Sequence, residues 1–595
     1  MPDTRDTSRP VRIANCSGFF GDRLAALREV VEGGPVDVVT GDYLAEVTML
    51  ILARTRLRRP GQGYASSFLR QLEPVAGTIA ARGIKVVVNA GGLDPQPLAD
   101  ATRELLARAG VELSVAHVEG DDITGRIDEL LAAGETLAHL DTGKPFSSWA
   151  REPLTANAYL GGFGIAAALR GGADIVVTGR VADASLVTGA AAWWWDWSPT
   201  DHDALAGAVV AGHVIECGAQ ATGGNYSRFG SVARLDHPGF PIAEVARDGS
   251  AVITKHPDSD GAVTVGTVTA QLLYEVGPPG YLNPDAVAHL DTVRLMADGD
   301  DRVRITGVRG SAPPPTTKVA MTALGAWRNA STVVLTGLDL DAKAAVVESA
   351  IRSELADRPG IDDLRFTRIG IAADDPADQM LGSCLLHVSV DGTQDACGRA
   401  FSNVVVELAL ASIPGIYFTG PPGDGGPFGV YWPTLVSQAA LEHVVVHADG
   451  RREFVAMPPT APTAAPVAPS PHVAAPSDLD DAFGPTVDAP LGTIVQARSG
   501  DKGGNANVGL WVDSDDAFAW LRNAITVDRV HALLPEAADL DVDRYELPNL
   551  RAVNFVIRGL LDGGATEARR FDKQAKALGE WIRARHVPIP ARFLD

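Results

Sequence analysis

The chain has 595 residues, 46% hydrophobic and 21% charged, with a formal net charge of −23. That length excludes a single hydrophobic core, since cores stop growing near roughly 300 residues, so at least two domains are required. The acidity excludes phosphate-backbone and anionic-membrane partners unless a local basic patch offsets it. The longest basic cluster, Arg54, Arg56, Arg58 and Arg59, is short and mixed with apolar residues, so neither nucleic acid nor membrane is expected.

Cys16, Cys217, Cys384 and Cys397 lack metal-ligand spacing and indicate a reducing compartment. The polar start MPDTRDTSRP has no apolar signal core, and no run of about 18 apolar residues follows. The expectation is a cytoplasmic protein. Ala/Gly-rich surfaces and the cluster of Trp193, Trp194, Trp195 and Trp197 make it a homo-oligomer, or else the tryptophans pack internally.

In chain order, residues 11–16 (VRIANC) are an apolar run expected as a buried strand, followed by a Gly-containing turn and an amphipathic stretch at 22–31. Further apolar runs at 36–39, 84–89 (IKVVVN), 112–118 and 175–178 (IVVT) alternate with helical segments. The pattern predicts right-handed βαβ units and an α/β body with a mostly parallel sheet. Polar residues gather just after the strand ends: Asn15 and Ser17, Asp42 and Glu46, Asn89 with Gly91 and Gly92, Arg180 and Asp183. Ligands bind at that carboxyl edge in open sheets and barrels alike, and we take the sheet as open or irregular.

From residue 252 a more antiparallel pattern begins, with strands expected at 264–270 and 303–308. The body is assigned to 11–456, a subdivision near 250 being left open. Residues 457–490 are read as a Pro/Ala-rich linker, because nine prolines within 458–490 deny the chain helix continuation and ladder donors. Residues 491–592 read as an α+β domain. Its strands are expected at 492–497, 507–512, 545–548 and 553–557, and its helices at 516–523 and 566–584.

Five segments could carry chemistry. In ARSGDKGGNANVG (497–509) glycines permit close backbone approach, Arg498 and Lys502 supply charge, and Ser499, Asp501 and Asn505 could orient a bound anion; a plain hairpin is the alternative. In residues 172–185 Arg180 offers a bidentate donor and Asp183 a helix cap, unless the two simply pair. In residues 212–225 Glu216 is a candidate acid/base and Cys217 a candidate nucleophile. In ITKHP (253–257) Lys255 and His256 could bind or protonate an acyl oxygen, against a purely structural histidine.

In GDYLAE (41–46) Asp42 and Glu46 stand four apart, as an acid/base pair, a cation site or helix-start acids. His117, His139 and His213 lack metal spacing, and no nucleotide motif occurs. No cofactor is therefore expected, and a divalent cation is not indicated.

Together, NCSGFFGD, GDYLAEVTM, NAGGLDP, GGADIVVTGRVADASL, GHVIECGAQATGGNY, the ITKHP region with YLNPD after it, and ARSGDKGGNANVG make the chain resemble the acyclic terpene utilisation (AtuA) family. The resemblance covers 12–455 and 491–592. It implies a large N-terminal domain with a C-terminal ferredoxin-like domain. It also implies a place in bacterial catabolism of citronellol and geraniol, whose intermediates travel as acyl-CoA thioesters, but no catalytic residues are carried over.

The expected activity is that of a lyase or hydratase on a branched acyl-CoA or related carboxylate. Arg180, Arg498 and Lys502 would clamp the substrate, Glu216 with His256 or Asp42 would act as acid/base, and Asn89 or loop amides would serve the oxyanion. The alternatives are a thioester hydrolase using Cys217 and a non-catalytic scaffold or binding subunit of an acyl-CoA enzyme complex. An enzyme gathers Asp42, Asn89, Arg180, Glu216 and His256; a scaffold leaves them dispersed.

Overall fold

The computed structural model describes residues 5–462, 470 and 482–594. They fall into two compact units, one running to Thr322 and resuming at Tyr431, the other Ala323–Val430. Residues around 250 lie within the large sheet of the first unit, on the strands Pro241–Val245 and Ala251–Lys255. Most of the expected linker lies outside the described residues. Its last five residues, Thr486–Pro490, form a strand that pairs antiparallel with His586–Pro590.

The larger unit is a mixed α/β body with the C-terminal domain packed on it. Five parallel strands form the sheet's centre, in the spatial order Val11–Asn15, Val38–Gly41, Lys85–Val88, Ile175–Thr178 and Val115–Glu119. Val86, Val87, Val88, Ile175, Val176 and Val177 are inaccessible to solvent. Strands covered on both faces require such continuous apolar runs. Antiparallel strands extend both edges: Pro241–Val245 beside Val11–Asn15, and Val444–Val446 beside Val115–Glu119.

Ser185–Trp195 is buried along its whole length, and the helix His202–Ile215 nearly so. Trp193, Trp194, Trp195 and Trp197 are accordingly packing residues in this unit. Among the described residues, no helix is long and apolar enough to cross a membrane.

The segment expected as a strand at 264–270 is instead the helix Val265–Leu272. A reciprocal capping box between Thr264 and Thr267 starts it, satisfying two backbone donors and overriding the β-branched composition. The unit Ala323–Val430 is antiparallel: Ser383–Gly392 pairs with Ile361–Ile369 and with the far half of the long strand Thr316–Thr336. The helices Leu340–Leu355 and Arg399–Ala411 supply Val347, Ile351, Phe401 and Val405 to its core.

The C-terminal domain is ferredoxin-like, an antiparallel sheet in the order Gln496–Lys502, Asn505–Trp511, Ala552–Ile557 and Val542–Leu547. Trp520, Leu521, Val508, Leu510 and Phe555 form its core under the helix Asp515–Ala524. The Gly/Asn-rich segment is therefore mostly strand. Lys502 pairs with Asn505, so Gly503 and Gly504 alone make the turn, and Gly503 has φ +64°. The expected helix over 566–584 shortens to Leu578–Ala584. Asp572 accepts the backbone N–H groups of Lys576 and Ala577 at 2.8 and 2.9 Å, a local competitor to helix.

Candidate active site

The body's acids are set in place by backbone groups at the strand ends. Asn15, last residue of its strand, donates from Nδ2 to the carbonyls of Ile215 and Glu216, both at 2.7 Å. That contact pins the end of the helix His202–Ile215 to the sheet edge, with Glu216 as its C-terminal cap residue. Asp42 follows Val38–Gly41, and its Oδ1 accepts from Asn89 Nδ2 at 2.6 Å and from the Leu44 N–H at 3.0 Å. Asn89 Oδ1 in turn accepts the Tyr43 N–H at 2.7 Å. Arg180 donates to Asp183 at 2.6 Å and lies 4.1 Å over the Tyr159 ring.

These surroundings separate the acids. Burial and the charge of Asp183 push Asp42 up to about 7, against Arg180 and the Asn89 hydrogen bond. Burial, then Asp183 and Asp42, hold Glu216 well above the usual carboxyl range. The Cys217 thiol donates to Glu216 Oε1 at 3.2 Å, and burial and that carboxyl keep it well above its usual value.

Glu46 opens the helix Glu46–Arg58, where its Oε1 accepts from Tyr431 at 3.2 Å, Lys318 at 3.3 Å and Tyr159 at 3.4 Å. Burial opposes its ionisation, but Lys318 and Arg180 prevail and bring it down to about 2. Asp42 lies outside this helix, so the two acids do not share a helical face.

The C-terminal hairpin closes over this edge by strict alternation. Gln496, Arg498, Gly500 and Lys502 face the body, as do Asn507 and Gly509 on the paired strand. A Cβ at Gly500 would lie 2.4 Å from the Tyr274 ring, and one at Gly509 2.6 Å from the Leu273 Cβ, so only glycine permits this approach. Asn507 accepts the Glu275 N–H at 2.8 Å and donates to the Leu273 carbonyl at 3.0 Å. Asn554 donates to the carbonyls of Val276 and Gly277 at 3.1 and 3.0 Å. Side-chain amides thus satisfy the body's backbone there.

Arg498 lies 4.2 Å over the Tyr274 ring and donates to Gln220. Lys502 donates to the Glu275 carbonyl at 3.3 Å, and Asn505 to Asp141 at 2.8 Å. Burial and the charge of Glu275 raise Asp501 to about 8, against Lys576. Burial and neighbouring Lys318 lower Lys502.

Beside these buried groups stand charged side chains that keep access to water. Asp183 and Lys318 keep 32% of their side-chain exposure, Glu275 33% and Lys576 36%. The structure thus brings Asp42, Asn89, Arg180, Asp183, Glu216, Cys217, Arg498, Asp501, Lys502 and Asn505 to one region.

It places the others elsewhere. Lys255 pairs with Asp301 at 3.0 Å and donates to the Ser259 carbonyl at 2.7 Å. His256 donates from Nε2 to the Val30 carbonyl at 2.8 Å and packs on Gly33 and Gly34. Ser499 alternates to the opposite face, where its hydroxyl accepts the Gly579 N–H at 2.9 Å. Asn89 holds Asp42, a different task from serving a free oxyanion.

Sequence reasoning missed Tyr159, His213, Tyr274, Glu275, Tyr281, Lys318, Tyr431 and Lys576. His213 and Tyr281 had a visible signal, as the second residue of GHVIECGAQATGGNY and the first of YLNPD. Among the described residues, no group of three His, Cys, Asp or Glu is placed to hold a metal ion. A groove of about 1340 Å³ lies away from this chemistry, beside Trp197, Arg247 and Asn549. There Arg309 and Asp203 neutralise one another at 2.7 Å.

No curated protein matches the chain. The AtuA ferredoxin-like domain matches residues 489–588. The family described as acyclic terpene utilisation family protein AtuA matches residues 11–447, so the chain belongs to that family and its place is among proteins of acyclic terpene utilisation.

Proposed function

We propose that the chain is an enzyme of acyclic terpene utilisation that moves protons on a branched acyl-CoA or related carboxylate, as a lyase or hydratase. One observation carries this reading: buried carboxyls of opposite protonation state lie in one cluster around Arg180 and Asp183. Asp42 and Glu216 are held toward the neutral acid while Glu46 stays ionised. Addition or removal of water across a carbon–carbon bond needs one group to take a proton from carbon and another to protonate the departing oxygen. Glu216, coupled to Asp42 through burial and charge, is the residue for the second task. Asp42, raised only to about 7 and so partly ionised at neutral pH, serves the first. Arg180, braced by Asp183 and the Tyr159 ring, supplies positive charge for the developing oxyanion.

The thiol of Cys217 is kept protonated, which favours this reading over a thioester hydrolase. The gathering of the acids and cations favours an enzyme over a scaffold. The test is turnover of branched acyl-CoAs and their free acids by wild type and Glu216→Gln. A fall in kcat of about 10²–10⁴ at unchanged unfolding temperature is expected. Equal turnover by the folded variant removes Glu216 from the mechanism.

A further inference from the structure

We propose that Lys318, Lys502 and the hydroxyl of Tyr281 form a seat for one oxyanionic group of the bound molecule, built jointly by the body and the C-terminal domain. The inference rests on this cluster being a ligand site, and not on which reaction occurs there.

The first ground is hydrogen-bonding capacity without partners. Lys502 donates only to the Glu275 carbonyl and forms no ion pair among the described residues. The Tyr281 hydroxyl has no hydrogen-bond partner among them either, although Asp183, Glu216, Glu275 and Lys318 all act on it. Lys318 shares a single oxygen of Glu46 with two tyrosine hydroxyls. Lys502 is exposed, so water fills its spare donors in the free chain, and an arriving oxyanion replaces that water with charge-assisted hydrogen bonds.

The second ground is placement. Lys318 Nζ lies 5.0 Å from the centre of the Tyr159 ring and 5.7 Å from that of Tyr431. The Tyr431 ring also abuts the hairpin turn, 3.6 Å from where a Cβ on Gly503 would stand. Lys502, next to that turn, therefore approaches Lys318 across Tyr431. Tyr281 is braced from behind by the His213 ring, 5.0 Å away, whose imidazole is kept neutral by burial and by Lys502.

The third ground is charge. Lys318 and Lys502 stand close enough for like-charge repulsion to act on Lys502, and an anion between them relieves it. The nearby carboxylates have other engagements. Glu46 is held by Lys318 and the tyrosines, Glu275 faces Lys576 at 3.8 Å, and Asp141 accepts from Asn505.

The seat fits a carboxylate or a phosphoryl group. Its location beside Glu216 makes the occupant part of the molecule on which that acid acts.

Calorimetric titration of the full chain tests the proposal, with isovalerate, its neutral isostere isovaleramide, and inorganic phosphate as probes. Isovalerate should bind and isovaleramide should not. Lys502→Met and Lys318→Met should each weaken isovalerate roughly tenfold or more, and Tyr281→Phe by less. Lys502→Arg should restore most of the affinity, which separates lost charge from lost fold.

Phosphate binding that Lys502→Met abolishes, without isovalerate binding, supports the same seat with a phosphoryl occupant. Equal binding of acid and amide, or unchanged binding of both anions by Lys502→Met, overturns it. Isovalerate binding retained in Glu216→Gln, whatever that variant does to turnover, keeps this result separate from the acid/base reading.

Discussion

The body and the C-terminal domain bring charge to their shared edge by opposite means. The body offers acids from loops that follow parallel strands, each held by backbone N–H groups or by an asparagine, as Asp42 is by Leu44 and Asn89. The C-terminal domain offers cations from alternate positions of a regular strand, Arg498 and Lys502, with Gly500 between them to let the sheet lie on Tyr274. Loops bring chemistry to a site one residue at a time. A strand face brings a row of residues, and its fit depends on what is absent from the row as much as on what is present.

The sharpest break is removal of one partner. Deleting residues 491–595 strips the region of Arg498, Lys502 and Lys576 and should abolish turnover, while the central sheet still folds. Circular dichroism with an activity assay checks this, and a fully active truncated body refutes the shared site.

Next in size is Gly500→Val. It places a branched side chain where even a Cβ meets the Tyr274 ring at 2.4 Å. Overpacking of this kind costs about 1–3 kcal/mol, read as a lower denaturant midpoint. Gly77→Ala, in the helix Ala76–Arg82 with open space around the new methyl, is the control and should stabilise by about 0.5–1 kcal/mol.

The smallest effect is one of slope. Asp42 at about 7 and Asp501 at about 8 bind protons in the folded chain that the unfolded chain has already released. Stability from them is fully present below the unfolded carboxyl value of about 3.9 and is lost as pH rises through 7 and 8. Asp42→Asn should therefore flatten the decline of unfolding temperature between pH 5 and 9. An unchanged slope would show that Asp42 ionises normally.

The same contrast explains what could be read in advance. The parallel centre, and Asp42, Asn89, Arg180 and Glu216, were legible because apolar runs end where polar residues begin. Lys318 was not, because it lies within the long strand Thr316–Thr336 and reaches Glu46 only through tertiary closure. Arg498 and Lys502 were visible as chemistry but read as loop, since Gly and Asn mimic turn composition when their purpose is to face another backbone. The helix Val265–Leu272 was hidden by β-branched residues whose hydroxyls make its cap. His256 had the right chemistry and the wrong neighbour, the Val30 carbonyl.

The hairpin also sets an order of assembly. Ribosomes deliver residue 496 only after more than four-fifths of the chain. Until then the Tyr274 ring and the Glu275 N–H have no sheet above them. The body's acids therefore exist as a folded edge before Arg498 and Lys502 can join them.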